Sequence, residues 1–290
     1  MKPRARWHPW VMLAPSLAVL TVFVVAPVLL AALASLFSWD MLTPPHFAGG
    51  AEYAAVARRG ALFDTALRTL AFSAVVVAGA MTIGLALAVA LNRRGRLFAF
   101  VRAAVFSAYV VSWVSVALLW MGLLDPDGGP VAGVLRALHL PRTAWLGDPH
   151  LALVTIAGVT VWKVAGYSMI LFLAGLQGVP SSLLEAAAID GAGPLARFRY
   201  VTWPLLRPTA AFVATTSLVA SFQTFDVVRI MTQGGPARAT TLFVYAIYEQ
   251  IFLNLSVGRA SAITVVFFLV LAGVAALQLR VFQARGRGQA

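Results

Sequence analysis

Six apolar stretches run through this 290-residue chain. Each is long enough to cross about 30 Å of hydrocarbon, which takes about 20 residues of helix. They extend from about Val11 to Phe37, Leu70 to Leu91, Ala103 to Leu124, Leu151 to Leu176, Thr209 to Phe225 and Ala260 to Leu279, and Lys163 is the one charged residue inside them. An open strand cannot satisfy its backbone in lipid, and the runs lack barrel alternation, so each is predicted to be a helix. The chain is 61% hydrophobic and 11% charged, against about 45–50% and about 25% in soluble domains. That excess is too large for a soluble core and excludes disorder. The absence of cysteine removes a disulfide scaffold, thiolate chemistry and Cys-based metal sites.

The net charge of +12 would suggest nucleic acid in a soluble protein. Here the positions of the charges matter more, and no nucleic-acid partner is expected. With the N-terminus placed inside, the inner segments hold Lys2, Arg4, Arg6, Arg93, Arg94, Arg96, Arg102, Arg197, Arg199, Arg207, Arg280, Arg285 and Arg287. Eight arginines, Arg58, Arg59, Arg68, Arg136, Arg142, Arg229, Arg238 and Arg259, fall outside. Cytoplasmic loops carry the excess of Lys and Arg, so both termini are predicted to be cytoplasmic. The first stretch is too long for a signal-peptide core of 7–15 residues and is read as an uncleaved span, kinked at Pro15 and Pro27. The other bounded features are outer loops of about Ser38 to Arg68, Asp125 to His150 and Asp226 to Arg259, rich in turn residues. None is large enough for a second domain, so residues 1–290 read as one membrane domain.

The segment 177–208 stands apart. Pro180 ends the fourth span. Ser182 is a candidate N-cap, and Glu185 three residues on would complete a capping box. Leu183 to Ile189 is a strong helix-forming run. Asp190-Gly191 stops it, since glycine takes the left-handed cap conformation readily. Pro194 starts a second short helix, and Pro204 and Pro208 are expected to break the chain before the fifth span. The result is a helix-turn-helix with a small-residue surface at Ala186, Ala187, Ala188 and Gly191. A plain connector could be much shorter, so a protein docking site and a simple linker both remain open on these grounds.

The run Glu185-Ala186-Ala187-Ala188-Ile189-Asp190-Gly191-Ala192, followed by Phe198 and Trp203-Pro204, resembles the EAA loop of permease subunits in bacterial ATP-binding-cassette (ABC) importers. A second match lies at Thr232-Gln233-Gly234-Gly235-Pro236, with Ala239-Thr240-Thr241, Tyr245, Ile247-Tyr248 and Gly258; it is similar to permeases of the maltose and glycerol-phosphate type. Trp162-Lys163 with Tyr167 also looks like this group. One departure is Trp203, where the family more often has Leu. The resemblance covers essentially the whole chain. It implies an all-α membrane protein of six transmembrane helices with the type I ABC importer permease (MetI-like) fold. It further implies a coupling helix around Glu185, Ala186, Ala187, Asp190, Gly191 and Pro204, seated in a groove of a dimeric cytoplasmic ATPase. Glu185 would pair with a basic residue there, and Gly191 would permit the turn. The implied partners are a second, usually different permease subunit and an extracytoplasmic solute-binding protein, in the plasma (inner) membrane lipid.

No phosphate-binding Gly-x-x-x-x-Gly-Lys-Ser/Thr loop is present, so the chain is not expected to hydrolyse ATP. His8, His46, His139 and His150 lack metal-like spacing, and neither metal nor cofactor is expected. An ionisable group inside a membrane span is costly and marks a candidate site. Lys163 and Tyr167 share a helix face, beside Trp162. They either offer a donor and an aromatic surface to a polyhydroxylated solute, or Lys163 pairs with an acid such as Asp226. Gln223 and Asp226 near the end of the fifth span either line the pathway or serve an ion pair. Gly79, Gly84, Gly158 and Gly166 are expected at close helix contacts, and Trp113, Trp120 and Trp145 in the interfacial belt. The favoured solute is a sugar or short oligosaccharide. Glycerol phosphate or a glycerophosphodiester is the alternative, and a membrane-embedded transferase a distant third.

Overall fold

The computed structural model describes residues 8–58 and 60–287, with side chains over 12–58 and 60–280. Lys2, Arg4, Arg6 and Arg59 and the side chains of His8, Arg285 and Arg287 lie outside the described residues. In chain order, α1 (His8–Leu20) and α2 (Ala26–Ala34) are joined by a π-helical turn over Thr21–Val25. A two-stranded ribbon, β1 (Phe37–Ser38) and β2 (His46–Phe47), pairs Phe37 with Phe47 and Ser38 with His46. Then come α3 (Ala51–Arg58), α4 (Ala61–Leu91), α5 (Arg96–Val110), α6 (Trp113–Leu123), α7 (Pro130–Ala137) and α8 (Ala152–Gln177). They are followed by α9 (Ser181–Ile189), α10 (Pro194–Arg197), a π turn (Phe198–Thr202), α11 (Trp203–Phe222), α12 (Asp226–Met231), α13 (Phe243–Tyr248), a third π turn (Glu249–Leu253) and α14 (Val257–Arg287).

Among the described residues, five helical segments are long and apolar enough to span a bilayer: Met12–Ala34, Ala61–Leu91, Ala152–Gln177, Pro194–Met231 and Val257–Arg280. Helices α5 and α6 meet the same test only as a pair, bent by 101°, which makes a sixth span if the pair crosses together. The sequence predicts one helical run over about 103–124 there. Helices also outlast the apolar runs: α4 begins nine residues before Leu70 and carries Asp64 and Arg68. Hydropathy marks where the hydrocarbon ends, not where backbone hydrogen bonding ends.

The expected break at Pro204 and Pro208 does not occur. The backbone stays helical from Pro194 to Phe222, with both prolines inside. A proline removes one N–H and collides with the carbonyl four residues back. The π turn immediately upstream absorbs this: the Trp203 N–H donates five residues back, to the Phe198 carbonyl. Pro27 in the first span is accommodated in the same way, where the Ala26 N–H donates to the Thr21 carbonyl.

The chain forms two compact units, Met1–Asp64 with Ala246–Leu269, and Thr65–Tyr245 with Val270–Ala290. In the first, the Ser35 hydroxyl bonds the Tyr53 hydroxyl at 2.7 Å, and the Val257 N–H donates to the Trp39 carbonyl at 2.9 Å. Glu52 is buried and meets Arg259 at 3.3 Å. Gly258 lies so close to the Phe37 carbonyl that a Cβ would collide with it.

In the second unit α8 is the central helix. Its Met169, Phe172 and Leu173 pack with Ala88 and Leu91 of α4 and Ala210 and Val213 of α11. The helices approach closely because small residues leave room. A Cβ on Gly84 would sit 2.6 Å from the Ser168 Cβ, and one on Gly79 would sit 2.7 Å from Val161. Gly166 lies against the Val105 backbone. Gly158, expected at such a contact, faces open space, while Gly175 against Thr209 fills that role.

Candidate functional site

The segment after α8 folds as an exposed elbow. Helix α9 ends at Asp190, and Gly191 adopts φ +82°. The Gly191 N–H donates to the Ala188 carbonyl at 3.1 Å and the Ala192 N–H to the Ala187 carbonyl at 2.9 Å. This pair of bonds is a Schellman cap, and its left-handed residue is most often glycine. The capping box does not form. Pro180 occupies the N-cap in an extended conformation, no side chain caps the helix, and Ser182 already lies within the first turn. Glu185 is therefore released from its own helix. It is exposed, with no hydrogen bond or ion pair to any described residue. Ala186 and Asp190 are exposed, and Ala187 is half-buried. Ile189 and Leu195 stand 87% and 79% exposed on the two arms. Pro204 is outside the elbow, in the first turn of α11.

A second feature is a cleft of about 350 Å³ between the end of α5, α8 and α11, lined by Tyr109, Val164, Tyr167, Thr215, Thr216, Ser217, Val219, Ala220 and Gln223. Its size falls in the range of small-molecule sites, about 300–1,000 Å³. The Tyr109 and Tyr167 rings stack at 4.7 Å and 16°. The Thr215 and Thr216 hydroxyls donate to carbonyls of their own helix, at Ala211 and Phe212, which leaves oxygen lone pairs as acceptors. Gln223, at the C-cap of α11, is exposed. No charged side chain lines the cleft.

The structure thus brings together two of the five predicted pathway residues, Tyr167 and Gln223. Trp162 lies about 100° round the helix from Lys163. It lines a different, apolar groove with Phe100 and Val161, and meets Trp120 edge-on at 5.6 Å. Asp226 is the half-buried first residue of α12. Lys163 is 1% exposed, bonds no acid and does not line the cleft. Its Nζ donates to the carbonyls of Ala108 (3.1 Å), Tyr109 (3.0 Å) and Val111. Of the two roles the sequence left open, a place on the pathway or a pairing with an acid such as Asp226, Lys163 takes neither here: its partners are the open carbonyls of a helix end. Trp113, placed in the interfacial belt by sequence, lies with its ring 4.8 Å from that ammonium.

The Thr232–Thr241 loop is a self-satisfied knot. Thr240 Oγ1 bonds Thr232 Oγ1 at 2.7 Å and donates to the Gly235 carbonyl at 2.7 Å, and Thr241 Oγ1 donates to the Gly234 carbonyl at 3.1 Å. Gly234 adopts φ +78°, and a Cβ there would sit 2.5 Å from the Tyr245 ring.

Sequence reasoning missed Tyr109 and the Thr215-Thr216-Ser217 triplet. The triplet carried a signal, three hydroxyls in succession inside an apolar span. Tyr109 carried none, being one aromatic residue in an apolar run that α5 packs against α8.

Two solved structures share the fold over nearly the whole chain. One is a bacterial ABC transporter involved in import of the acidic polysaccharide alginate (TM-score 0.82, 20% identity, 96% of both chains). The other is a bacterial alginate ABC transporter in complex with an alginate pentasaccharide-bound periplasmic protein (TM-score 0.80, 21% identity, 95% of both chains). The sn-glycerol-3-phosphate transport system permease protein UgpA of Rhizobium meliloti (strain 1021) is 34% identical over 96% of this chain and 95% of its own length. The architecture is the all-α, type I importer permease fold. Residues 80–287 match the family of binding-protein-dependent transport system inner membrane components, and the chain belongs to it. It is the transmembrane subunit of an ABC importer, a transport subunit of the inner membrane that works with a solute-binding protein.

Proposed function

We propose that this chain forms half of a translocation pathway for a sugar or short oligosaccharide, and that the elbow at Glu185–Gly191 couples it to a dimeric cytoplasmic ATPase. The observation that carries the coupling reading is the elbow itself: a carboxylate freed from its own helix, a glycine-capped turn and apolar side chains left open on both arms. ATP closes the ATPase dimer, the docked elbow moves with it, and the spans rearrange from inward- to outward-open. ATP binding must favour one permease state for this to work. The second half of the pathway comes from a different permease subunit, a binding protein delivers the solute from outside, and both termini are cytoplasmic.

The cleft supports a neutral, polyhydroxylated solute. It offers two stacked aromatic rings, hydroxyl oxygens and one carboxamide, and no cation. The second reading, sn-glycerol 3-phosphate, is favoured by the substrate named for the Rhizobium relative. It would need its cation from the partner subunit, since all three Lys163 protons are engaged elsewhere.

Co-expression of the importer with Glu185→Lys tests the coupling. The variant is expected to insert normally, to lose ATP-driven uptake and to co-purify poorly with the ATPase. Uptake at the wild-type rate would defeat the coupling reading. Uptake of maltose against sn-glycerol 3-phosphate by the reconstituted wild type separates the two solute classes.

A further inference from the structure

We infer that Lys163 is a positioning residue: its ammonium terminates α5, holds the bend between α5 and α6, and thereby seats Tyr109 on Tyr167 at the wall of the cleft. The importance of that wall for transport rests on the cleft reading given above; the bend itself does not.

The break lies at Val111 (φ −62°, ψ 143°) and Ser112 (φ −55°, ψ 141°). The local sequence Tyr109-Val110-Val111-Ser112-Trp113 contains neither proline nor glycine, and no π turn interrupts it. Sharp kinks arise at Pro, at Gly/Ser pairs, at π bulges, or where a side chain or water enters the hydrogen-bond ladder. Of the causes visible here, only the last is met, and the intruding side chain is Lys163.

Its chemistry fits the task. The end of a helix leaves carbonyls without intrahelical partners, and hydrocarbon offers no water to take them. An ammonium has three donors, and Lys163 directs them to three carbonyls, those of Ala108, Tyr109 and Val111. The C-terminal end of α5 carries partial negative charge, which accounts for a buried cation with no carboxylate beside it. The Trp113 ring at 4.8 Å adds a cation–π contact.

The same turn of α8 grips Tyr109 twice. Lys163 holds its carbonyl, and Tyr167, four residues on, holds its ring.

The chain has no cysteine, so nitroxide pairs can be introduced by Phe100→Cys and Leu119→Cys. These positions are on α5 and α6 and are 72% and 54% exposed. The label-to-label distance is read by pulsed electron paramagnetic resonance in the assembled importer, without solute. Lys163→Met is expected to lengthen and broaden the distance, by up to about 10 Å if the two helices became collinear at a rise of about 1.5 Å per residue. Lys163→Arg, which keeps the cation and its donors, is expected to retain the wild-type distance. Should the Met variant fail to assemble, Lys163→Gln carries the same expectation of lengthening. A wild-type distance in the uncharged variant, or an Arg variant that lengthens as the Met variant does, overturns the proposal. The cleft reading is tested separately, by Tyr167→Leu, so that either can fail while the other stands.

Discussion

Glu52 and Arg259 lie 207 residues apart in the chain and 3.3 Å apart in space. The two partners are unequally placed: the Glu52 side chain is 8% exposed, that of Arg259 41%. Loss of the pair should therefore be asymmetric. Removing Arg259 strands a nearly buried carboxylate, whereas removing the charge of Glu52 leaves a cation that water still reaches. Breaking a fully buried pair costs about 3–5 kcal/mol; the exposure of Arg259 reduces that here. We expect Arg259→Met to destabilise by about 2 kcal/mol and Glu52→Gln by about 1 kcal/mol. Thermal unfolding of the detergent-solubilised protein measures both. Equal losses would show that the carboxylate does not depend on its partner.

Asp40 closes the turn beyond β1. One of its oxygens accepts from the Thr43 N–H (2.8 Å), the Thr43 hydroxyl (2.8 Å) and the Leu42 N–H (3.0 Å). The bond from the Thr43 backbone, then those from its hydroxyl and from Leu42, hold the carboxyl below its ordinary range. A group whose folded pKa is depressed stabilises the fold fully above its unfolded pKa, about 3.9 for Asp, and that contribution is lost as pH falls through the lowered folded value. A nitroxide introduced by Leu42→Cys should therefore report an ordered turn above about pH 5 and a mobile one only in strong acid, with a midpoint below about 3.9. Asp40→Asn should be mobile throughout. A midpoint at or above the ordinary value would remove the turn's role in holding the charge.

The sequence made the helical, membrane-spanning character and the elbow legible, because both are written in local pattern. Twenty apolar residues have few alternatives in lipid, and Asp190-Gly191 stops a helix by local backbone geometry. What was not legible depends on residues distant in sequence. The bend at Val111 has no local signature, since its cause is Lys163, 52 residues away. Lys163 is legible as a charge inside an apolar run, but its partners, backbone carbonyls of another helix, are not. A break is expected at Pro204 and a kink at Pro27 because a proline's cost is local, while its remedy, a π turn upstream, shifts the hydrogen-bond register without leaving a composition signal. The unformed capping box shows the same limit at shorter range: Pro180 takes the N-cap two positions before the Ser182 that the pattern requires.

Gly191 is the residue on which the elbow turns. At φ +82° a side chain is strained, by about 1–2 kcal/mol for an L-residue in the left-handed region. A β-branched residue fares worse than Asn, which tolerates that region. Gly191→Val is expected to loosen the two Schellman bonds, to Ala187 and Ala188, and to reduce ATPase co-purification several-fold. Gly191→Asn should retain most of it. Both should insert normally and melt within a few degrees of wild type, since the elbow is exposed and contributes little to the core. Equal ATPase retention by the Val and Asn variants would show that the turn conformation is not what the partner recognises.

Tyr167 and Gln223 come from different helices, α8 and α11, to one cleft. If a polyhydroxylated solute passes there, the ring supplies a stacking face and the carboxamide supplies both donor and acceptor. Loss of a hydrogen bond to an uncharged partner costs about 0.5–1.5 kcal/mol, so Gln223→Ala should raise the half-saturating solute concentration by about three- to tenfold. Tyr167→Leu removes the face and frees Tyr109 from its stack, and should cost at least as much. Because Thr215 and Thr216 hold their hydroxyls against their own helix, Thr216→Val should matter less than either. ATP-driven uptake by the reconstituted importer, with the binding protein saturating, checks all three. Solute that still moves with unchanged half-saturation in the Tyr167→Leu, Gln223→Ala double variant would place the pathway elsewhere.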